Sequence, residues 1–275
     1  MKNDIKPFVK WVGGKTQLIE EIKKRLPKKI KNYFEPFLGG GAVLFNLQPK
    51  KAYVNDINAV LINAFNVIKT NPNHLIENLK ELDEKECTKE FFYEKREQFN
   101  KKIIANEFDI ELASLFVFLN KKCFNGIYRV NSKGLFNVPF NNKTKVRSYD
   151  KENILKISNY LQNVEISNLD FEESLKQAQK GDFIFIDSPY VPLNSNTFES
   201  YTKEGFNLES HIRLSKVFKT LDEKGCFVML TNHNTDLIRD LYSEYNIETV
   251  NVKRNVNSDG KNRKGFEVII TNYEY

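Results

Sequence analysis

The sequence predicts an α/β fold with a mostly parallel sheet and one insertion. Short apolar segments alternate with helical patterns along most of the chain, as in folds built from strand–helix units. One segment, "DFIFIDSPY" at 182–190, is apolar enough to be a strand buried on both faces. The alternation stops between about residues 70 and 155, which indicates an insertion in the sheet domain.

The strand candidates follow one another in a regular order. "NYFEPFLGGGAVLFNL" (32–47) is typical of a strand, a glycine turn and the start of a helix. "KAYVNDINAVLINAFNVI" (51–68) predicts a second strand that ends near Asp56 and a helix after it. Further strands are predicted within 164–171, 182–190, 226–232, 247–252 and 266–273, with helices around 209–222 and 234–244.

The insertion has a composition of its own. Its first part is helical in pattern, and its second part, "KKCFNGIYRVNSKGLFNVPFNN", is rich in Gly and Asn. We expect a β-hairpin there, with its turn near Ser132–Gly134. The chain therefore divides into a discontinuous sheet domain (1–66 and 155–275) and an inserted domain (67–154).

Composition excludes several classes of protein. The 275 residues, 40% hydrophobic, are enough for a substantial core. The three cysteines show no CxxC spacing, and the three histidines have no partner at metal-ligand spacing, so we expect a reducing compartment and no metal site. No apolar run approaches the roughly 18 residues of a membrane span, and the N-terminus is unlike a signal peptide. The expected location is the cytoplasm, without membrane association.

Positive charge is concentrated in the insertion. The net charge is +6, which by itself only weakly favours a polyanionic partner. Between Leu112 and Tyr149, however, there is no acidic residue, whereas seven residues are basic: Lys121, Lys122, Arg129, Lys133, Lys143, Lys145 and Arg147. A block of one sign predicts a surface that meets phosphates.

A glycine run follows the first strand, and an acidic residue ends the second. Gly39, Gly40 and Gly41 would let a ligand approach the backbone, and Asp56 could accept hydrogen bonds from ribose hydroxyls. The arrangement suits NAD and S-adenosylmethionine alike, and the alternative is that Asp56 only caps the next helix. Gly14-Lys15-Thr16 does not end a P-loop, because position 9, where that motif needs glycine, is Val9.

Asp187-Ser188-Pro189-Tyr190 comes directly after the buried strand. In open α/β sheets the ligand lies beyond the carboxyl ends of the strands, where this tetrapeptide falls. The Asp187 carboxylate and the Ser188 carbonyl could accept the two hydrogens of an aromatic amine, and Tyr190 could stack on its ring. The alternative is an ordinary turn, for which this composition is also suitable.

Taken together, these motifs resemble a known family. "FVKWVGGKTQL", "FEPFLGGGAVLF", "NDIN", "LNKKCFNGIYRVNSKGLFNVPF", "DSPY" and "EVIITNY" are similar, in this order, to those of Dam-type DNA adenine-N6 methyltransferases of the D12 class, alpha group. The resemblance covers almost the whole chain. It implies a Rossmann-like S-adenosylmethionine-dependent methyltransferase sheet with a helical and β-hairpin target-recognition insertion. It also implies methylation of N6 on an adenine flipped out of double-stranded DNA, with GATC as the expected site.

The resemblance assigns residues to the cofactor and to the chemistry. It implies that Trp11 and Lys15 contact S-adenosylmethionine, Lys15 through the cofactor carboxylate and Trp11 as an apolar wall or a face for the sulfonium. The other implied cofactor residues are Phe34, Glu35, Pro36, Phe37, Gly39, Asp56, Asp170, Phe171 and Asp187. Asp170 is equally well explained as a helix N-cap. The implied catalytic residues are Asp187, Ser188, Pro189 and Tyr190.

The resemblance also assigns residues to DNA. Arg129 would read a guanine through O6 and N7, and Lys10 would reach another base of the site. Phe124 and Asn125 would lie beside the flipped adenine, and Ile127 and Pro139 would make apolar base contacts. Lys121, Lys122, Lys133 and Lys143 would contact phosphates or nothing specific.

One departure and several alternatives stay open. The family's usual tetrapeptide is Asp-Pro-Pro-Tyr, and serine at 188 keeps the carbonyl but is less rigid than proline, so the rate is in doubt. The chain could instead be a DNA-binding module with weakened catalysis, or a nicotinamide-dependent oxidoreductase. We also expect a partner restriction endonuclease and a monomeric or weakly dimeric state. We expect association with the nucleoid through DNA.

Overall fold

The computed structural model describes residues 4–15, 17–142, 144–192, 206–253 and 264–275. The chain divides into two compact units. The first unit comprises Met1–Lys15, Gly39–Gln48 and Asp56–Asn168, and the second comprises Thr16–Leu38, Pro49–Asn55 and Leu169–Tyr275. These boundaries follow packing and differ from the functional division at 67–154, which stays a prediction. Thr16 and Lys143, named above, lie outside the described residues.

Ten helices and seven strands occur among the described residues. In chain order they are α1 (Ile19–Lys24), β1 (Tyr33–Glu35), α2 (Ala42–Leu47), β2 (Ala52–Asn55), α3 (Ala59–Thr70), α4 (Pro72–Glu84), α5 (Lys89–Ala105), α6 (Ile110–Lys122), α7 (Lys151–Leu161), β3 (Val164–Ser167), α8 (Phe171–Ser174), β4 (Phe183–Ile186), α9 (Leu208–Glu223), β5 (Phe227–His233), α10 (Asp236–Leu241), β6 (Asn246–Lys253) and β7 (Lys264–Thr271). A short 3-10 helix, Phe124–Gly126, follows α6.

Helix α6 is the centre of the first unit. Nearly all of its residues from Leu112 to Asn120 are apolar, and every one of them is buried. A helix that is apolar all round belongs inside a bundle, and α6 packs against α3, α4 and α5 accordingly. Side chains cap the N-termini of α3, α5, α6 and α7: Asn58, Thr88, Asp109 and Asp150.

One of the basic residues of the insertion has a structural role. Lys122, at the end of α6, is buried, and its ammonium donates to the Val146 carbonyl and lies 3.6 Å from the Asp83 carboxylate. Asp83 in turn accepts hydrogen bonds from the amide and the hydroxyl of Ser148. The expectation that Lys122 contacts phosphates or nothing specific is therefore wrong, because its ammonium binds Asp83 and the Val146 carbonyl within the first unit.

The predicted hairpin is confirmed. Val130 pairs with Phe136 in an antiparallel bridge, and Gly134 has a positive φ of 74°. The Gly134 amide donates to the Asn131 carbonyl, and the Asn131 side chain accepts from the amides of Lys133 and Leu135. This is the local hydrogen bonding for which asparagine is favoured in turns.

The second unit contains six of the strands, in the order β2-β1-β4-β5-β7-β6. The pairs β1–β2, β1–β4 and β4–β5 are parallel, and β7 is antiparallel to both of its neighbours. Five of these strands therefore run in one direction, which confirms the mostly parallel sheet. The order reverses between β1 and β4, and such a switch point is where open α/β sheets bind ligands.

The core of the second unit explains the apolar character of β4. All four of its residues are fully buried, and two of them, Ile184 and Ile186, share a core cluster with residues of α9 that include Leu214, Phe218 and Leu221. Strand β1 is buried over its whole length as well. A strand covered on both faces cannot show alternation, so a continuous apolar run is its only signal in the sequence. No helix in the described parts of the chain is long and apolar enough to span a membrane.

Candidate functional site

In the second unit, Asp187 lies immediately beyond β4 and is held by the next strand. The β4–β5 register pairs Ile186 with Leu230, so the following residues, Asp187 and Thr231, come side by side. The fully buried Thr231 hydroxyl donates to Asp187 Oδ1 at 2.9 Å. The direction of the Asp187 carboxylate is therefore set by a rigid strand as well as by its own loop.

Tyr190 is held by two strands. Its hydroxyl donates to Glu267 Oε2 at 3.0 Å, and its ring meets the His233 ring edge-on, with centroids 4.8 Å apart. The β5–β7 register places Glu267 opposite His233. Burial raises the pKa of Tyr190 well above its ordinary value, and the negative charges of Asp187 and Glu267 raise it further. The phenol therefore stays protonated and can keep donating to Glu267.

Asn232 fastens the segment that follows the tetrapeptide. Its Oδ1 accepts from the Val191 amide at 3.0 Å and from the His233 amide at 2.8 Å, and its side chain is fully buried. The His233 ring binds the Val191 carbonyl at 2.7 Å. The backbone after Tyr190 is thus attached to β5 through two side chains.

Ser188 stands where the family's usual tetrapeptide has proline. Its side chain is buried, with the residue 2% exposed, and its hydroxyl makes no hydrogen bond to the described residues. Pro189, in contrast, is exposed. A buried hydroxyl that lacks a partner costs about 1–3 kcal/mol of desolvation.

We expect Ser188→Ala to raise the free energy of unfolding by about 1 kcal/mol, because it removes an unpaired buried hydroxyl. Methyl transfer should stay within about twofold, since the backbone carbonyl at 188 remains. Urea denaturation and initial rates measure the two effects. Ser148→Ala is the matched control, because the Ser148 hydroxyl donates to Asp83 at 2.9 Å and its removal should destabilise. A loss of stability in both variants would contradict this account of Ser188.

The residues of β1 and of the turn that follows it have different environments. Phe34 belongs to the core and stacks on Tyr53, with centroids 4.6 Å apart. Glu35 is buried, and its Oε2 accepts from the Tyr33 hydroxyl at 2.8 Å. The Pro36 carbonyl accepts from the side-chain Nδ2 of Asn55, in β2, at 3.1 Å. Phe37 is half-buried, so its ring is more accessible than that of Phe34.

Phe37 belongs to an aromatic group with Phe171 and Phe206. Phe37 stacks on Phe171 at 5.4 Å and meets Phe206 edge-on at 5.6 Å. The Arg213 guanidinium lies over the Phe171 ring at 4.3 Å and donates to Asp170 Oδ2 at 2.6 Å. Asp170 Oδ1 caps α8 through the Glu172 amide. Both Asp170 oxygens thus accept a hydrogen bond. The local geometry is that of the alternative interpretation, in which Asp170 is a helix N-cap.

In the first unit, Asp56 organises the glycine turn. Its Oδ2 accepts from the Gly39 amide and its Oδ1 from the Asn58 amide, each at 2.9 Å. Asn58, rather than Asp56, caps α3. Burial raises the pKa of Asp56, and the two backbone hydrogen bonds oppose that shift. A half-buried carboxylate bound by amides at a glycine turn is a typical acceptor for a ligand's hydroxyl groups.

Trp11 lies against the same glycine turn. A Cβ built on Gly39 would stand 2.9 Å from Trp11 Cδ1, and one on Gly40 would stand 3.2 Å from Trp11 Cβ. Gly39 also has a positive φ of 51°, so two reasons require glycine there. Lys15 is 8% exposed and donates to the Gly13 carbonyl at 2.6 Å. Trp11, Gly39 and Asp56 therefore form one cluster.

The N-terminal segment is also fastened to the start of the hairpin region. Asn120, 1% exposed in α6, accepts from the Lys10 amide and donates to the carbonyls of Lys10 and Gly126. A Cβ on Gly126 would stand 2.5 Å from Lys10 Cδ. Next to this contact, Phe124 is 54% exposed and Asn125 has a positive φ of 56°. The structure thus brings Lys10 and the 124–126 turn together.

Arg129 is exposed on the hairpin. Its Nε donates to Asn137 Oδ1 at 2.9 Å, and Asn137 is its sole hydrogen-bond partner within the described ranges. The two terminal nitrogens of its guanidinium, which would form a bidentate contact with a base, donate to none of the described residues. Pro139 is exposed and its carbonyl accepts from the Phe124 amide, while Ile127 is half-buried.

Several residues that the sequence patterns did not single out have a place in these clusters: Asn58, Asn120, Asn137, Arg213, Thr231, Asn232 and Glu267. They are asparagines, a threonine and charged residues, types that give only a weak signal without a fold. The described parts of the chain contain no group of three or more His, Cys, Asp or Glu side chains that could hold a metal ion.

The fold and these clusters define a class of protein. A mostly parallel sheet with a glycine turn after β1 and Asp-Ser-Pro-Tyr after β4 is a Rossmann-like methyltransferase architecture. Residues 11–256 match the family of D12 class N6 adenine-specific DNA methyltransferases, and the chain belongs to that family. It is therefore an adenine-specific DNA methyltransferase, which confirms the resemblance and leaves the oxidoreductase alternative without support.

Curated relatives match over almost their whole length. The chain is 42% identical to "Type II methyltransferase M1.LlaDCHI" of Lactococcus lactis subsp. cremoris, over 99% of this chain and 97% of the relative. It is also 42% identical to "Type II methyltransferase M.MjaIII" of Methanocaldococcus jannaschii, over 98% and 100%. A "DNA adenine methylase" of Escherichia coli is 32% identical, over 97% and 95%.

Proposed function

We propose that the chain transfers a methyl group from S-adenosylmethionine to N6 of an adenine flipped out of a specific double-stranded DNA site, with GATC as the expected sequence. The observation that carries this proposal is Asp187, held by Thr231 at the carboxyl end of β4, next to the switch point of the sheet. Two relatives are named type II methyltransferases. We infer from those names that a partner restriction endonuclease accompanies the chain.

The residues of the first unit fit S-adenosylmethionine. Gly39 has no side chain, which lets the Trp11 ring pack directly against the turn that Asp56 binds. Each Asp56 oxygen accepts one backbone amide, which leaves further lone pairs for ribose hydroxyls. We propose that Trp11, Lys15, Gly39 and Asp56 bind this ligand from the first unit.

The second unit is proposed to contribute Phe34, Glu35, Pro36, Phe37, Asp170, Phe171 and Asp187. Phe37 and Phe171 supply stacked aromatic surface for an adenine ring. Phe34 and Asp170 would act indirectly, since Phe34 is in the core and Asp170 pairs with Arg213. When bound, S-adenosylmethionine supplies an electrophilic methyl group on a sulfonium.

The chain's own residues would prepare the amine. Asp187 and the Ser188 carbonyl would accept the two N6 hydrogens, which concentrates electron density on a nitrogen otherwise conjugated with the ring. Tyr190, whose hydroxyl is held by Glu267, would present its ring to the base at a fixed position. Pro189 would restrict the loop between them. Orientation of the amine and stabilisation of its charge would therefore lower the barrier to methyl transfer, and the first step would require no general base.

The DNA contacts are proposed for the hairpin and the N-terminal segment. Arg129 would read a guanine, Lys10 would reach a second base, and Phe124 and Asn125 would lie beside the flipped adenine. Ile127 and Pro139 would make apolar contacts. The exposure of the Phe124 ring is compatible with this assignment, because the ring is accessible to a base. Residues 67–154 would form the recognition domain, and 1–66 with 155–275 the catalytic domain.

Methyl transfer to a panel of duplexes tests the proposal. Labelled S-adenosylmethionine is incubated with duplexes that contain GATC, each single-base variant of it, or N6-methyladenine at the target. Label is expected in adenine of the GATC duplex alone. Transfer to a different sequence would refute GATC, and failure to use S-adenosylmethionine with any adenine-containing duplex would refute the proposed donor.

Asp56→Ala is expected to weaken binding of S-adenosylmethionine about tenfold or more, which corresponds to about 1.4 kcal/mol per tenfold. The variant loses the acceptor of the ribose hydroxyls and the anchor of the Gly39 amide. DNA affinity should change little. Isothermal titration measures both, and Asp150→Ala, which removes the cap of α7 in the same unit, is the matched control. Equal effects in the two variants would reassign Asp56 to a purely local structural role.

A further inference from the structure

Tyr128 connects two surfaces that the proposed function assigns to different ligands. Its ring stacks on Trp11, with centroids 5.5 Å apart and planes 17° from parallel. Its other contacts are a stack on Phe136 at 5.7 Å and an edge-on contact with Phe116 at 5.5 Å. Trp11 belongs to the proposed cofactor cluster, whereas Phe136 is part of the hairpin. The ring is therefore held between the two.

On the cofactor side, the stack reaches the glycine turn. The Trp11 indole lies against Gly39, whose amide donates to Asp56. The Tyr128 phenol has the Asn58 side chain as its polar neighbour: burial raises the pKa of Tyr128 to about 12, and Asn58 opposes the shift. Asn58 donates its own amide to Asp56. The Tyr128 ring thus reaches Asp56 through the stack on Trp11 and the Gly39 amide, and the contact of its phenol with Asn58 lies beside that route.

On the DNA side, Tyr128 is the residue before Arg129. The Arg129 carbonyl accepts from the Asn137 amide, and its Nε donates to the Asn137 side chain. Asn137 itself follows Phe136, which bears the other face of the stack. A displacement of the Tyr128 ring would therefore affect both segments around Arg129, the one that bears it and the Phe136–Asn137 segment that binds it.

We infer that Tyr128 is a positioning residue for both ligands, and that through it S-adenosylmethionine and the DNA site bind with positive coupling. This inference rests on the proposed function. A ligand that holds Trp11 against Gly39 also orders the Tyr128 ring, on which the hairpin packs. Part of the ordering that DNA recognition requires is therefore complete before DNA binds. By linkage, DNA must strengthen binding of S-adenosylmethionine by the same factor.

The chain's own fluorescence offers a direct measurement. Trp11 is the only tryptophan in the sequence, so intrinsic tryptophan emission reports on this stack alone. S-adenosylmethionine is titrated with and without a duplex that the wild type methylates, and isothermal titration repeats each dissociation constant independently of emission. The wild-type ratio of the two constants is expected to lie in the range of about 5 to 150 typical of coupled sites.

Tyr128→Leu removes the ring and should bring the ratio close to one, in both the cofactor and the DNA titration. Tyr128→Met, which fills the space with a flexible side chain, should do the same and serves if the leucine variant is unstable. Tyr128→Phe keeps the ring and should keep the wild-type ratio. Phe91→Leu is the matched control, because Phe91 meets Phe118 edge-on elsewhere in the first unit and should leave the ratio unchanged.

The outcomes separate this inference from the proposed function. A wild type that methylates DNA but shows a ratio of one, or ring-deleted variants that keep the wild-type ratio, would overturn the role of Tyr128 alone. Loss of coupling in Phe91→Leu or in Tyr128→Phe would overturn it too. Absence of methyl transfer by the wild type from S-adenosylmethionine to any duplex would instead refute the proposed function.

Discussion

Asp187→Ala is expected to lower the methyl-transfer rate at least a hundredfold, which corresponds to about 3 kcal/mol of transition-state stabilisation. The variant removes one of the two proposed acceptors of the N6 hydrogens. It also leaves the Thr231 hydroxyl, now donating at 2.9 Å to the carboxylate, without that acceptor in a buried position. Single-turnover rates at saturating DNA and S-adenosylmethionine measure the chemical step. Near-normal turnover would refute the proposed mechanism.

Thr231 variants distinguish orientation of the carboxylate from its mere presence. Thr231→Val keeps the shape and removes the donor, so we expect a smaller loss, about tenfold, with little change in the dissociation constants. Thr231→Ser retains the hydroxyl and should restore most of the rate. If Thr231→Val were as slow as Asp187→Ala and also bound the ligands poorly, the hydroxyl would be needed for the fold of the loop rather than for orientation.

Arg129→Ala is expected to cost about 1–3 kcal/mol of discrimination at one base pair of the site. The hydrogen bond from its Nε to Asn137 holds the guanidinium plane, which leaves the two terminal nitrogens to face a guanine. Methylation rates on duplexes with single substitutions measure the effect. A preference lost at one position, with the other positions unchanged, is the expected pattern.

Lys133→Ala is the matched control on the same hairpin. Lys133 is exposed at the turn, and its amide, not its side chain, binds Asn131. We expect it to weaken all duplexes alike and to reduce the salt dependence of binding, as a phosphate contact does. The two variants are therefore compared at two ionic strengths. A uniform loss with Arg129→Ala would make its role electrostatic and refute the recognition assignment.

The order and type of the elements could be predicted because they depend on local patterns. The buried run of β4, the glycine turn after β1 and the Asn131–Gly134 turn each lie within a few consecutive residues. Their signals are hydrophobic periodicity and turn-forming residues such as glycine and asparagine, which act over a few consecutive residues. The predicted strands and the hairpin are accordingly confirmed.

Side-chain environments could not be predicted in the same way. Phe34 and Phe37 are three residues apart in one motif, yet Phe34 stacks on Tyr53 in the core and Phe37 is half-buried beside Phe171. Lys122 belongs to the basic block by composition, but it is buried near Asp83. A motif identifies which residues matter without stating which surface each of them meets.

The sequence by itself therefore determined the α/β class and the family. Each of these rests on motifs of consecutive residues whose order along the chain is directly readable. Tertiary structure alone decided the contacts that orient the motif residues: Thr231 with Asp187 across 44 positions, Glu267 with Tyr190 across 77, and Asn120 with Lys10 across 110. Such partners become neighbours only through strand register and helix packing, so no local pattern specifies them.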